Sequence, residues 1–323
     1  CDAYFVDGEH TFENVNHETK EIIKGNAKLI IYHDADIQCV YDAIVDAFNG
    51  NNDYNLYRVV DTRIVYAVKK DKMEITEQPI QKTNKVAIVI VIYNIADLIV
   101  KQTSCIRRFC KDDHDIIIID NSTNREVSDA IIYYNNTIMN CIYYKTQASS
   151  SNSSESHAFA CNWAFQTLAD KYDYFCYLDH DNFPIRNFSV KEILKDKVIA
   201  GLGQKPKDTK YFWAGCVMFN IAKIEKELVN FCVNHDLQID TGGMLYKVIE
   251  KYGEDNCIFF NEVHIQNPNF TKSFYNFYAM INDEMFMHFI NSSGWNPSEG
   301  HQERINSLLN ILNEKTSANP TDK

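Results

Sequence analysis

The chain reads as an α/β protein built on a doubly wound, mixed sheet, and three stretches carry that reading. Lys85-Val-Ala-Ile-Val-Ile-Val-Ile-Tyr93-Asn94 and Asp115-Ile-Ile-Ile-Ile-Asp120-Asn121 are continuous β-branched runs that end in polar turn residues, a helix length apart. Such runs suit strands buried on both faces, as parallel strands are, and they place ligands at the carboxyl ends of the sheet. Tyr174-Phe-Cys-Tyr-Leu-Asp179-His180-Asp181 is a third apolar strand. It delivers two carboxylates, one residue apart, to a stop at Pro184.

The elements follow in order. At the amino end, Asp2 to Gly8 is a strand closed by a glycine turn, residues 12 to 24 are helical, and Lys28 to Asp34 is a second strand ending in His33-Asp34. Arg58 to Lys69 supplies another strand. Glu74 to Asn84 is polar, contains Pro79 and has no periodicity, so a linker over 76–84 separates a segment 1–75 from a domain 85–298. Within that domain the Ser-rich stretch Gln147 to Glu155 predicts a loop on the ligand-binding rim. Lys210 to Asn220 predicts a short strand in which Gly215 lets a ligand approach the backbone. A helix is expected from Ile221 to Val233, and another begins at Asp240, which is placed to cap it. Glu284 to Trp295 is an apolar strand carrying His288, followed by a small-residue loop. Ile305, Leu308, Leu309 and Leu312 mark a closing helix in 299–323, whose tail from Ser317 should fray.

The chemistry gathers at strand ends. In an extended chain residues i and i+2 point the same way, so Asp179 and Asp181 could converge on one hard cation; a solvated acidic turn is the plainer alternative. Asp120 would share their rim, where it is either a ligand-facing carboxylate or a loop-forming Asp. A lone histidine such as His288 on an apolar strand is usually a satisfied core residue.

Taken together, the Asp120-Asn121-Ser122 strand end, the Ser/Asn-rich turn into His157-Ala-Phe-Ala-Cys-Asn162, and Leu-Asp179-His180-Asp181 resemble a GT-A glycosyltransferase of the family-2-like kind, over about 84–295. The resemblance implies a metal-dependent, inverting transfer of sugar from a UDP- or GDP-sugar to a glycan or protein-linked hydroxyl. It assigns Tyr93, Asn94, Asp120, Asn121, Ser122, Asn162, Asp179, His180 and Asp181 to the nucleotide sugar. Asp179, Asp181 and His288 would hold Mn2+ or Mg2+; an imidazole ligand favours Mn2+, and His264 is the weaker alternative. Trp213, Gly215 and Asp236 fall on the acceptor side. Asp240 would be the general base, with Asp236 its rival. One departure is Asn124, which stands where the family carries an acidic residue.

The amino-terminal block, with strand ends Asp7-Gly8-Glu9-His10 and His33-Asp34, resembles the latter half of a class I methyltransferase of the macrocin-O-methyltransferase-like kind. In such relatives acids like Asp7 and Asp34 hold a divalent ion beside the methyl acceptor. The glycine-rich turn that binds S-adenosylmethionine has no counterpart here, since Gly8 and Gly25 are isolated, so this block is expected not to methylate by itself.

The net charge of −12 argues against nucleic acid or an anionic membrane as the main partner. Ten cysteines show no CxxC pair, and several (Cys176, Cys216, Cys232) lie in apolar runs, as reduced thiols of a cytoplasmic protein would. No run of about twenty apolar residues spans a bilayer. Two other classes compete. A nucleotidyltransferase would carry a Gly-rich basic signature near its first strand, which Ile92-Tyr-Asn-Ile-Ala96 lacks, and a non-catalytic glycan-binding or scaffold module would dispense with the carboxylates.

Overall fold

A computed structural model describes residues 3–7, 11–35, 37–49, 51, 53–58, 64–69, 83–146, 152–269, 276–290, 292 and 300–317. Residues 76–82 of the expected linker lie outside these residues, whereas Thr83 and Asn84, expected to close it, open a strand; Gly8, Glu9 and His10, residues 147–151 of the expected rim loop, and Ser293 and Trp295 also lie outside. The chain divides into two units, Cys1–Ile80 and Gln81–Lys323.

The first unit runs β1 (Ala3–Val6), α1 (Phe12–Lys24), β2 (Leu29–Tyr32), α2 (Gln38–Phe48), β3 (Tyr54–Arg58) and β4 (Val65–Lys69). Its sheet order is β1-β2-β4-β3. The first pair is parallel, because a helix intervenes, and the other pairs are antiparallel. Thr11 caps α1 with its side chain, and α1 and α2 are tied together where Asn16 donates to the Ala43 carbonyl at 3.0 Å and to Asp46 at 2.9 Å.

The second unit runs β5 (Thr83–Ile92), α3 (Ile99–Phe109), β6 (His114–Asp120), α4 (Arg125–Tyr134), β7 (Ile142–Lys145), α5 (Ser153–Leu168), β8 (Tyr172–Leu178), β9 (Asn182–Pro184), α6 (Val190–Leu194), β10 (Ile199–Gln204), β11 (Tyr211–Asn220), α7 (Tyr246–Tyr252), β12 (Cys257–Phe260), β13 (Glu262–Gln266), β14 (Phe277–Ile281), β15 (Phe286–His288) and α8 (His301–Ser317). The main sheet has the order β12-β10-β11-β8-β5-β6-β7, and every pair is parallel except the two that involve β11. This is the doubly wound mixed sheet expected from the three apolar runs. Strand β5 shows why it needs apolar residues on both faces. Val86, Ile88, Ile90 and Ile92 enter one core with side chains of α3 and α8, whereas Ala87, Val89 and Val91 enter the opposite core with α5. A second, antiparallel sheet, β13-β14-β15-β9, begins where β8 ends.

Four expectations are corrected. The Asp-x-Asp segment is not extended: the Asn182 amide donates to the Asp179 carbonyl at 2.8 Å, so residues 179–182 form a turn by which the chain leaves the main sheet and joins the second one. Pro184 does not stop the ladder but sits in edge strand β9 opposite Phe286, where its missing N–H costs nothing. The helix expected at Ile221–Val233 is only a short 3-10 turn, Lys226–Leu228. Tertiary partners satisfy its backbone instead, with Glu225 donating to the Tyr252 hydroxyl and Phe231 to the Asn162 side chain. Finally, Asp240 caps no helix. A 3-10 turn, Gly243–Leu245, follows Gly242, and α7 starts only at Tyr246. Among the described residues no helix is long and apolar enough to cross a membrane, and the nine described cysteines are free thiols.

Candidate active site

A cavity of about 300 Å³ opens at the carboxyl edge of the main sheet, and Tyr93, Asn121, Asp179, His180, Asp181, Trp213, Asp240 and His288 are among its lining residues. Strand direction explains the gathering. β5, β6 and β8 are parallel neighbours, so their ends share one rim, and the antiparallel β11 presents its middle there.

The turn at 179–182 is held from below. Gln102 of α3, fully buried, donates to the Asp179 and Asn182 carbonyls at 2.5 and 2.7 Å, and Asn182 donates to the Gly215 carbonyl at 3.1 Å. Asp179 also donates its amide to Gly215 at 3.0 Å. Its carboxylate lies 3.0 Å from Nε2 of His157, in the second turn of α5. Burial, the largest influence, raises the Asp179 carboxyl, but His157 and then His180 and His288 more than offset it and hold it below the ordinary range. Burial likewise opposes charge on His157, yet Asp179 and Cys161 lift its pKa well above the usual value.

Asp181 is 5% exposed, accepts from the Ser292 amide at 3.4 Å and lies 3.7 Å from Nε2 of His288. Arg304 of α8, itself buried, fastens the segment behind it, donating to the Ile290 carbonyl at 2.6 Å and to the Ser292 hydroxyl at 3.0 Å. His180 sets Nδ1 3.1 Å from the Val91 carbonyl, which requires a proton on that nitrogen, and its Nε2 is buried without a partner. Nδ1 of His288 is also buried without a partner.

The donor set suits a hard cation, with two carboxylates and imidazole nitrogens at one cavity floor. It is open, not closed. Among the described residues, Asp179, Asp181 and His288 do not bring one ligand atom each to within 4.8 Å of one another, because each carboxylate leans on its own histidine. The expected trio of Asp179, Asp181 and His288 thus stands as two carboxylate–histidine pairs, Asp179 with His157 and Asp181 with His288.

Other expected residues take different places. Asp120 is fully buried and turned inward, accepting from the Ser122 amide at 2.9 Å and the Tyr143 hydroxyl at 2.8 Å, so it builds the rim and does not line the cavity. Asn94, in the left-handed region at φ 50, accepts from the Thr123 and Asn124 amides and receives its own order from Ser122 through its backbone N–H. Asn121 reaches the cavity but spends its side chain on Ser156 and Thr146. Asn124 is the side-chain cap of α4, a role Asn fills as well as an acid does. Asn162 points away, into a separate cavity bounded by residues 226–232, and holds the Phe231 amide at 2.9 Å. Asp236 and His264 are exposed and do not line the site, whereas Asp240 does; its Oδ1 accepts from the Thr241 amide at 2.7 Å. Asp236 is therefore displaced as rival base, since its turn carries it outside the cavity.

Gln102, His157 and Arg304 are positioning residues that sequence reasoning missed. Each had a signal: a polar side chain in the apolar stripe of its helix, beside Ile99 and Ile106, Cys161 and Ala164, and Leu308 respectively.

In the first unit, Nδ1 of His33 lies 3.2 Å from Asp7 and 3.3 Å from Asp34, and the three offer ligand atoms within 4.8 Å of one another. This is the one such group among the described residues.

No family model matches the sequence, and no curated protein matches it. Solved structures similar to the chain are glycosyltransferases at low identity. A mannosyltransferase from Pyrobaculum calidifontis, in complex with GDP-Man and Mn2+, is 13% identical with a TM-score of 0.40 over 56% of this chain and 55% of that one. The WbbM bifunctional glycosyltransferase gives 12% and 0.35 over 55% and 38%, and mouse xyloside xylosyltransferase 1 gives 11% and 0.34 over 55% and 85%. The chain spans about half the length of the first and less of the second. With TM-scores of 0.40 and below, these likenesses carry no weight in the functional assignment, which rests on the cavity.

Proposed function

We propose that the second unit is a metal-dependent glycosyltransferase that moves a sugar, with inversion, from a nucleoside-diphosphate sugar such as a UDP- or GDP-sugar to the hydroxyl of a glycan or protein-linked acceptor. One observation carries this reading: Asp179 and Asp181 line the floor of a cavity that has a further carboxylate, Asp240, in its wall. Mn2+ or Mg2+ held by the pair, with His288 adjoining Asp181, would supply positive charge to the leaving diphosphate. His157 and Gln102 fix Asp179, while Arg304 fixes the segment behind Asp181. Asp240 takes the proton from the acceptor hydroxyl as its oxygen bonds to the anomeric carbon and the bond from that carbon to the diphosphate oxygen breaks. Tyr93, Asn121 and His180 would face the nucleotide sugar. Asp120, Asn94 and Ser122 support the rim.

Calorimetry of the full chain with Mn2+ and a panel of UDP- and GDP-sugars tests the reading. The expected result is Mn2+-dependent binding of at least one sugar nucleotide, lost in Asp181→Ala with the circular dichroism unchanged. Equal affinity in that variant, or none in the parent, overturns it. Formation of a sugar nucleotide from a sugar phosphate and a nucleoside triphosphate would instead identify a nucleotidyltransferase.

For the first unit we infer the closing portion of a methyltransferase fold, on the strength of its parallel β1-β2 pair followed by antiparallel β4 and β3. Asp7, His33 and Asp34 would hold its divalent ion. Mn2+ binding to this cluster, read by electron paramagnetic resonance, should be lost in Asp34→Asn; unchanged binding would remove the assignment.

A further inference from the structure

We infer that Thr241 is a positioning residue for Asp240: it ties the loop carrying this carboxylate to the first turn of α5 and so fixes the base relative to Asp179. This inference rests on the glycosyltransferase reading, in which Asp240 takes the proton of the attacking hydroxyl, and adds to it what holds the base in place.

The loop closes on itself before it reaches the carboxylate. Asn234 and Ile239 pair through two backbone hydrogen bonds of 3.0 and 2.9 Å, with Gln238 in the left-handed region at φ 56. Asp240 follows, exposed in the cavity wall, and behind it Thr241 and Gly242 are buried. Gly242, at φ 90, seats the loop against β11: an added Cβ would lie 2.4 Å from the Phe212 carbonyl oxygen and 2.9 Å from the Ala214 nitrogen. Thr241 makes the second attachment, to α5. Its hydroxyl is 2.9 Å from the Ser154 carbonyl oxygen and 3.5 Å from Oδ1 of Asp240, so its one proton goes to the carbonyl. Its amide donates to the same Oδ1 at 2.7 Å. The pair of His235 and Glu155, 2.9 Å apart, joins the same two elements but is open to solvent and adds little.

With Oδ1 engaged by the Thr241 amide, Oδ2 of Asp240 is the atom left to accept the proton; it has no hydrogen bond among the described residues. Helix α5 also carries His157, one turn beyond Ser154, whose Nε2 lies 3.0 Å from the Asp179 carboxylate. The first two turns of a single helix thereby hold both the base loop and the turn that bears Asp179. Such spacing matters because a general base must stand within hydrogen-bond reach of the proton it takes, and a misplacement of about 1 Å can cost on the order of 10²-fold in rate. Thr241 acts on the reaction through Asp240, and the grip of Asp179 and Asp181 on the donor does not pass through it.

Thr241→Val keeps the side-chain shape and the amide bond to Oδ1 and removes the donor to Ser154. The full chain with Mn2+ is supplied with UDP-glucose, UDP-galactose, UDP-N-acetylglucosamine or GDP-mannose, with water and methyl glycosides as acceptors, and release of nucleoside diphosphate is followed. Thr241→Val should lower turnover about tenfold or more, while calorimetric affinity for the sugar nucleotide stays near the parent's. Thr241→Ser, which keeps the hydroxyl, should retain most of the parent's turnover. In an Asp240→Asn background Thr241→Val should cost nothing further, because its effect passes through the carboxylate. Hydrogen exchange read by mass spectrometry should rise over residues 234–242 and stay unchanged over 179–182. Thr241→Ala serves if the valine variant fails to fold. Parental turnover in Thr241→Val, an equal fall in the Asp240→Asn background, or an equal loss of sugar-nucleotide affinity overturns the inference and leaves the glycosyltransferase reading standing. A parent that turns over none of these sugar nucleotides overturns that reading and this inference with it.

Discussion

Asp240 and Asp120 show how two aspartates at neighbouring strand and loop ends serve different purposes. Asp240 is exposed in the cavity wall and bonded only locally, so Asp240→Asn keeps its Oδ1 acceptor for Thr241 while removing the proton acceptor. Transfer should fall on the order of 10²-fold or more with sugar-nucleotide affinity and melting temperature near the parent's, as steady-state kinetics and calorimetry would read. Near-normal turnover would point to a retaining mechanism, which the anomeric configuration of the product by NMR decides. Asp120 is the opposite case. Burial raises its pKa, but hydrogen bonds from Ser122 and Tyr143 more than offset this, leaving it depressed. A depressed folded-state pKa adds stability that is present above the unfolded value of about 3.9 and is lost as pH falls through the folded one. Asp120→Asn should cost about 1–3 kcal/mol near pH 7, since its amide would face the Ser122 or Tyr143 donor. The difference between variant and parent in urea unfolding should shrink below about pH 4. A constant difference across pH would contradict this account.

At the scale of elements, helix α3 is the support of the site. Its stripe Ile99, Gln102, Ile106 and Phe109 is apolar except at Gln102, and that exception clamps both ends of the 179–182 turn. Gln102→Leu would leave two buried carbonyls without this donor. It should destabilise the protein by about 1–3 kcal/mol and weaken Mn2+-dependent sugar-nucleotide binding, though Gln102 touches no ligand. Chemical denaturation and calorimetry on the same variant check both effects, and full stability would show that the turn holds itself. The element also marks a limit of pattern reading. Strands β5, β6 and β8, and helices α1 and α8, were legible because continuous β-branched runs and 3.6-residue stripes report burial directly. The segment Ile221–Val233 has a helical stripe too, but the Asn162 and Tyr252 side chains outcompete the helix for its backbone donors. No local pattern records such distant partners.

At the scale of the molecule, the carboxylates assigned to transfer all lie in the second unit, which carries both of its own cores. Removing residues 1–80 should leave residues 81–323 folded and able to bind the same sugar nucleotide with Mn2+ at comparable affinity, measured by calorimetry. Loss of binding in a folded fragment would mean that the first unit contributes to the site.

Composition and periodicity alone determined that this chain is α/β, where its long buried strands run, and that Asp179 and Asp181 sit at a strand end. These are properties of nearest neighbours along the chain, and burial writes them into the order of residues. Which side chains meet was decided by the tertiary structure. His157 reaches Asp179, Gln102 reaches the turn and Arg304 reaches the segment behind Asp181 from three separate helices. Asp120 and Asn162, read as ligand-facing, turn toward the interior and a second cavity because polar groups distant in sequence claim them there. A buried polar group must find a partner or bear an unmet desolvation cost, and only the folded chain shows which partner is within reach.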